Sequence, residues 1–217
     1  MPGCCCSPFE RSADQNFNQK KAAQELKRYR EKGPGQTTRL LVDGVAQAGI
    51  RGGTVLDIGS GVGGLTLALL ERGASSAIAV DASNAYLDAA RDEAARQGQR
   101  NAIQFVHADF VAVAPQLPTV SMVVLDRVVC CYPSCERLLD AALGHAERCL
   151  ALSYPRERWY VRVGMTLENI QRWLGNNSFR TFVHPVATIE ETLKRAGFTL
   201  SSRQETWMWS ADVWTVG

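Results

Sequence analysis

The sequence predicts an α/β fold: a mostly parallel sheet covered by helices on both faces and closed by an antiparallel strand pair near the carboxyl terminus. Three observations carry this reading. From Gly52-Gly53 onward, short apolar runs alternate with longer helical stretches, the order in which parallel strands and crossover helices follow one another. The first apolar run leads straight into a glycine-rich turn at Gly59-Ser60-Gly61-Val62-Gly63-Gly64. The last stretch, Phe198 to Val216, has no helix after it and reads as two strands joined by a turn. A chain of 217 residues suits one well-buried core, so a single domain with additions is expected.

Taken in order, residues 1–18 mix Cys, Pro, Ser, Asn and Asp without periodicity and read as a flexible lead. Gln19 to Lys32 are helix formers rich in Lys and Arg, stopped by Gly33-Pro34-Gly35. Thr37 or Thr38 is the expected cap of a second helix that turns Leu40, Leu41 and Val45 toward the core. Strands are expected at Thr54 to Ile58, Ala77 to Val80, Ile103 to His107, Val120 to Leu125 and Cys149 to Ser153. Between the second and third lies a helix from Ser83 to Gln97, capped by Ser83, buried through Leu87, Ala90 and Ala94 and ended by Gly98.

Composition narrows the function classes. Hydrophobic residues at 46% and charged residues at 21% give a soluble balance, and no apolar run is long enough to span a bilayer. A net charge of +2 gives no whole-protein attraction for nucleic acid. The seven cysteines fall as Cys4, Cys5, Cys6, then Cys130, Cys131, Cys135, then Cys149, an odd count without a disulfide pattern or a secretory signal, so a cytoplasmic setting is expected. Pro2 excludes myristoylation at that position. A zinc site from Cys131, Cys135 and Cys149 lacks a second close ligand pair, and no metal is expected.

Gly59, Gly61 and Gly64 satisfy G-x-G-x-x-G, so a dinucleotide site, and with it a nicotinamide-dependent oxidoreductase, has to be weighed. The glycines let the backbone turn tightly and let a ligand lie against the strand ends, but they do not name the ligand. Asp57 precedes the first glycine by two positions. A carboxylate there accepts a hydrogen bond from the ammonium of S-adenosylmethionine (SAM) and repels the pyrophosphate of NAD. Asp81 ends the second strand and suits a ribose diol, which both ligands possess. Asp109, just past the third strand, suits an adenine amine with Phe110 covering the ring, and together with Asp57 it favours SAM.

In combination, Asp57-x-Gly59-x-Gly61, Asp81 and Asp109 resemble the successive motifs of class I SAM-dependent methyltransferases over about residues 37 to 216. The resemblance implies a Rossmann-like, seven-stranded sheet with SAM across the carboxyl ends of its first strands. Asp57 and Gly59 would hold the methionine part, Asp81 the ribose, and Asp109 with Phe110 the adenine, with Gly61 and Gly63 also at the cofactor. A narrower set, Tyr29-Arg30, Thr37-Thr38-Arg39, Asp126 to Pro133, Tyr154-Pro155-Arg156 and Phe182 to Pro185, is similar to the magnesium-protoporphyrin O-methyltransferases and their relatives. Members of that group methylate a propionate carboxylate of a tetrapyrrole. Residues 1–18 match nothing in the group.

Other residues keep two readings. Asp126, after the fourth strand, faces both the methionine part and the acceptor, or caps the next segment. Arg127 pairs either with a substrate carboxylate or with Asp126 or Glu136. His184 lies near the acceptor pocket by resemblance, or is structural. Residues 154–185 form a substrate-side insertion in which Tyr154, Arg158 and Arg162 are expected to bind the acceptor, since aromatic faces and arginines suit a flat apolar acid. The helices over 19–50 form a lid with Tyr29 and Thr38 as cofactor contacts, and the lid's excess of Lys and Arg gives at most weak attraction to anionic lipid. The fourth strand lacks the [DNS]-Pro-Pro-[YF] signature of amino methylation on DNA bases, so a small-molecule oxygen acceptor is expected. In-line displacement then needs no base for a carboxylate, and Asp126 or His184 for a hydroxyl. A SAM-binding module without transfer activity is the non-enzymatic alternative.

Overall fold

The computed structural model describes residues 7–217. Among them, the strands are β1 (Thr54–Ile58), β2 (Ser76–Asp81), β3 (Ile103–His107), β4 (Val120–Leu125), β5 (Ala146–Pro155), β6 (Phe198–Glu205) and β7 (Trp209–Val216). They form one sheet in the order β3-β2-β1-β4-β5-β7-β6. The pairs β1 to β5 are parallel, while β7 runs antiparallel between β5 and β6. The expected architecture is therefore present, with β2 and β5 longer than their apolar runs. β5 extends because it is paired along its length with β7, from Cys149 opposite Thr215 to Pro155 opposite Trp209.

Side chains alternate across the strands and build a core on each face. Leu56, Val80, Val123, Leu125, Leu150 and Trp214 face α7 (Cys135–Leu143) and α9 (Val186–Arg195). Val55, Ala79, Val124, Ala151 and Val213 face α3 (Gln36–Gln47), α4 (Gly64–Glu71) and α5 (Asn84–Arg96). Asp57 shares the second face and so points at α4. The remaining helices are α1 (Pro8–Asn16), α2 (Gln19–Lys32), the single turn α6 (Phe110–Val113) and α8 (Trp159–Leu174).

Two expectations about the leading segment change. Residues 8–16 are helical: Ser7 Oγ accepts from Glu10 N and Pro8 occupies the first turn, where its missing N–H is no loss. The segment escapes a periodicity search because only Ala13 and Asn16 along it are buried. Cys4, Cys5 and Cys6 lie outside the described residues. The cap of α3 is Gly35, without a side-chain bond; Thr37 and Thr38 lie inside the first turn and are buried. Ser83 does cap α5, accepting from Tyr86 N, and Gly98, at φ 71°, follows its end.

α3 lies against β7 so closely that a Cβ at Gly44 would come within 2.7 Å of Val213 Cγ2. Gly44→Val is expected to destabilise by about 1–3 kcal/mol through overpacking. Gly164, inside α8 with no atom near a would-be Cβ, gives the contrast: Gly164→Ala is expected to stabilise by roughly 0.5–1 kcal/mol. Thermal melts of the two variants check the pair of signs.

Candidate functional site

Parallel strands put all their carboxyl ends on one side, and the order turns back at β1, leaving a crevice there between β2 and β4. A cavity of about 270 Å³ opens at this point. Its floor is made by Ile58, Gly59, Gly61, Val80, Asp81, Asp109, Phe110 and Asp126. Each carboxylate is held by the local backbone or a hydroxyl. Asp81 accepts from Gly61 N and Ser83 N, both at 2.8 Å. Asp109 caps α6 through Val111 N at 3.1 Å and takes the Ser7 hydroxyl at 2.9 Å. Asp126 accepts from Thr38 Oγ1 at 2.6 Å and Ser153 Oγ at 2.7 Å. Asp57 lies just behind the cavity wall, fully buried, with Thr66 Oγ1 donating to it at 2.5 Å.

The loop that follows β1 uses its glycines. Gly59 and Gly61 have φ of 67° and 58°, which other residues rarely adopt, and a Cβ on Gly59 would stand 2.5 Å from Val128 Cγ2. Arg127 also has a positive φ, 61°, a conformation that costs a non-glycine residue about 1–3 kcal/mol. It is held there by its N–H on Ser153 Oγ at 2.8 Å and its guanidinium on Glu25 at 3.1 Å.

Burial shows in the titration of Asp57 and Asp81. Burial first, then the Asp126 and Asp81 charges, push Asp57 up to about 7 against the pull of Thr66. Burial likewise pushes Asp81 up to about 6, against the N–H groups of Ser83 and Gly61. Ionising these groups together is unfavourable without a cation nearby. The floor thus favours a positively charged ligand and disfavours a pyrophosphate.

The roof comes from elements that sequence periodicity missed. Phe9, Ala13 and Phe17 of α1 and its exit, Met165 and Arg172 of α8, and Phe179 all line the cavity. The rings interlock: Phe9 to Tyr132 at 4.7 Å, Phe17 to Phe179 at 5.0 Å and Phe17 to Tyr86 at 5.4 Å between centroids. Glu25 of α2 reaches in, taking Tyr86 OH at 2.9 Å as well as Arg127. Cys130 and Cys131 line the cavity, and both thiols donate to the Arg127 carbonyl.

Residues 55–151 match the family described as methyltransferase domain, the span from β1 to most of β5. Over that span, a little under half of the chain, the sequence is similar to methyltransferase domains. Solved structures of similar fold include magnesium protoporphyrin IX methyltransferase from Synechocystis PCC 6803 with bound S-adenosylhomocysteine. It is 21% identical, with 84% of this chain covering 83% of that one at a TM-score of 0.69. The same enzyme with bound SAM gives 18% identity, 97% and 85% coverage and a TM-score of 0.62. An O-methyltransferase family protein from Burkholderia thailandensis gives 13%, 97% and 63%, and 0.71. At these identities the likeness is one of fold. A comparison with curated proteins finds no match.

The structure separates the residues singled out in the sequence. Gly59, Gly61, Asp81, Asp109, Phe110, Asp126 and Arg127 meet at this cavity. Tyr29 packs on Gly64, and Gly63 on Ala90, so both support the loop from behind. Thr38 reaches the site through Asp126. Arg127 pairs with Glu25, not with Asp126 or Glu136. Tyr154, Arg158, Arg162 and His184 do not line this cavity. Tyr154 is buried and donates to Asp212 at 2.7 Å, because the two share one face of the β5–β7 pair. Arg158 lines a smaller cavity beside Tyr154, and Arg162 pairs with Glu157. The His184 ring is taken by the Tyr132 carbonyl at 3.0 Å.

The raised carboxyls predict a pH effect. In the unfolded chain Asp57 loses its proton near 3.8, in the native state near 7. Between those values the native state binds more protons, so stability from this group is lost as pH rises. The stability is expected to fall by a few kcal/mol between about pH 4 and 7, seen as a falling melting temperature. In Asp57→Asn the slope flattens. A slope identical to that of the unmodified protein, read by scanning calorimetry, would contradict the raised value.

Proposed function

We propose that the domain moves the methyl group of SAM to an oxygen of a flat, largely apolar small molecule that carries an acid, with a tetrapyrrole propionate as the leading acceptor. The observation that carries this is the two-sided cavity: carboxylates on its floor and aromatic rings on its roof, with Arg127 and Arg172 at its edge. SAM has two positive centres, its sulfonium and its ammonium, which answer the repulsion among Asp57, Asp81 and Asp126. The groups present fit it. Gly59 and Gly61 bring bare backbone to the crevice, Asp81 has oxygens for a diol, and Asp109 and Phe110 suit an adenine.

SAM supplies an electrophilic methyl carbon that the acceptor oxygen takes in line as S-adenosylhomocysteine leaves. The chain's own residues position and desolvate. Phe9, Phe17 and Phe179 exclude water from the transfer point, which strengthens the attraction between an anionic oxygen and a cationic donor. A carboxylate acceptor is ionised near neutral pH and needs no base. Arg127 would release Glu25 to pair with it, and Arg172, now on Glu168 and Thr181, is a second candidate. These two replace Arg158 and Arg162 in the reading. For a hydroxyl acceptor, Asp126 is the base in reach, since His184 lies outside the cavity. The Synechocystis relative, a magnesium protoporphyrin IX methyltransferase, supports the tetrapyrrole, as do Asp126 to Pro133 and Tyr154 to Arg156 in the sequence.

Incubation with methyl-labelled SAM and a panel of magnesium protoporphyrin, quinones and phenolic acids, followed by mass spectrometry, tests the acceptor. Label on a porphyrin propionate is expected. Asp126→Asn separates the mechanisms: a base at Asp126 predicts a loss of about 10²–10⁴ in kcat, a carboxylate acceptor a loss below roughly tenfold. Thermal stabilisation by NAD and not by SAM would overturn the proposal altogether.

A further inference from the structure

The outward face of α8 is apolar from Trp159 to Leu174 but for Thr166. Trp159, Val163, Leu167, Ile170 and Leu174 recur at helical spacing and, at 3.6 residues per turn, fall with Trp173 in an arc of roughly 120°. They are exposed: Trp159 76%, Leu167 61%, Trp173 66% and Leu174 72%. The turn between β6 and β7 widens the patch at one end. Trp207, 70% exposed, stacks on Tyr160 with centroids 4.7 Å apart, and Tyr160 lies beside Trp159. Three of the chain's five tryptophans stand on this face. Contiguous apolar surface of this kind marks an interaction site.

The charge around the patch selects the occupant. Residues 156–180 hold five arginines and two glutamates. The glutamates are taken by Arg162 and Arg172, and Arg156 pairs with Glu205, which leaves Arg158 at one end of the helix and Arg180 beyond the other. Lys21 adds to the second end, where its Nζ and the Asn177 amide both donate to Asn16 Oδ1 at 3.0 Å. Two copies meeting face to face would set these cations against each other. Tryptophans with a cationic rim suit a headgroup region instead, where amphipathic rings lie at the boundary and Arg meets lipid phosphate. Among the described residues no helix is long and apolar enough to cross a membrane, so the contact is a surface one.

We infer that α8 docks the protein on an anionic phospholipid surface, with the Trp159 to Leu174 face inserted and Arg158, Arg180 and Lys21 on the headgroups. The opposite face of the same helix carries Met165 and Arg172 into the cavity, so docking sets the cavity beside the bilayer. The inference does not depend on which acceptor is methylated.

The test is co-sedimentation of the full chain with vesicles of phosphatidylglycerol and phosphatidylcholine, against phosphatidylcholine alone, with tryptophan emission read in parallel. Binding to the mixed vesicles that weakens with salt, with a blue-shifted emission, is expected. The triple variant Trp159→Ser, Leu167→Gln, Trp173→Ser should bind at least about tenfold more weakly and melt at an unchanged temperature, since these side chains are exposed. No binding by the unmodified protein overturns the inference, as does binding that the triple variant retains in full. Equal binding to both vesicle types overturns the anionic assignment. Self-association by light scattering that is lost in the triple variant gives the face to a second copy and overturns the lipid reading.

Discussion

Four carboxylates stand at the carboxyl ends of four adjacent parallel strands: Asp57 in β1, Asp81 closing β2, Asp109 two residues beyond β3 and Asp126 one beyond β4. Parallel pairing leaves no choice about which side they share. In a low-dielectric crevice such charges repel strongly, and the rest of the site is arranged around that repulsion. The Thr66 hydroxyl, the Gly61, Ser83 and Val111 N–H groups, and the Thr38 and Ser153 hydroxyls each answer one carboxylate. These are dipoles, and dipoles offset only part of the cost of burying charge, as Asp57 and Asp81, raised first by burial, show. A cation from outside removes the remainder. The strand order thereby selects the charge of the ligand before any contact with it is specified.

The same carboxylates tie down the cover. Ser7, ahead of α1, donates to Asp109; Thr38 of α3 donates to Asp126; Glu25 of α2 takes Arg127 and Tyr86. Phe17 is fixed by its carbonyl on the Ser83 hydroxyl at 2.6 Å. Away from the cavity, Arg30 and Arg96 clamp the buried Glu93, the Arg96 bond leading the causes that hold this carboxyl down to about 2. The clamp fixes α2 on α5 without using site residues. A ligand that claims an oxygen of Asp109 or Asp126 therefore competes with the cover and not with the clamp.

How much of this was legible follows from where each signal resides. The strands and the glycine loop announce themselves locally, through apolar runs and through residues whose φ only glycine accepts readily. The Asp positions follow from the strands. Phe9, Phe17 and Phe179 carry no local signal, because their burial arises from one another across the cavity and not from a period along the chain. The choice of Arg158 and Arg162 rested on residue type, which does not say which way a helix faces. Helical phase does: Val161, Met165 and Arg172 lie on one side of α8, Arg162 near the edge of the other. The alternation of burial at Val161 and Met165 with exposed Val163 and Leu167 was readable only once the helix lay over the cavity. Tyr154 and His184 misled for a related reason, since each spends its polar atom inside the fold, on Asp212 and on the Tyr132 carbonyl.

On the reading proposed above, the acidic floor creates a difficulty that the strained Arg127 resolves. An anionic acceptor approaching Asp126 meets a like charge, and the apolar roof makes that repulsion stronger. Arg127 follows Asp126 directly, and its left-handed backbone places its N–H on Ser153, the same hydroxyl that holds Asp126. The guanidinium is thereby kept at the cavity edge, where Glu25 neutralises it in the present arrangement. Exchange of Glu25 for an acceptor carboxylate keeps the charge balance of the site and costs only a partner that lies on the cover. Acceptor acidity and opening of the cover would then be read by one side chain, and a neutral acceptor would leave Glu25 in place.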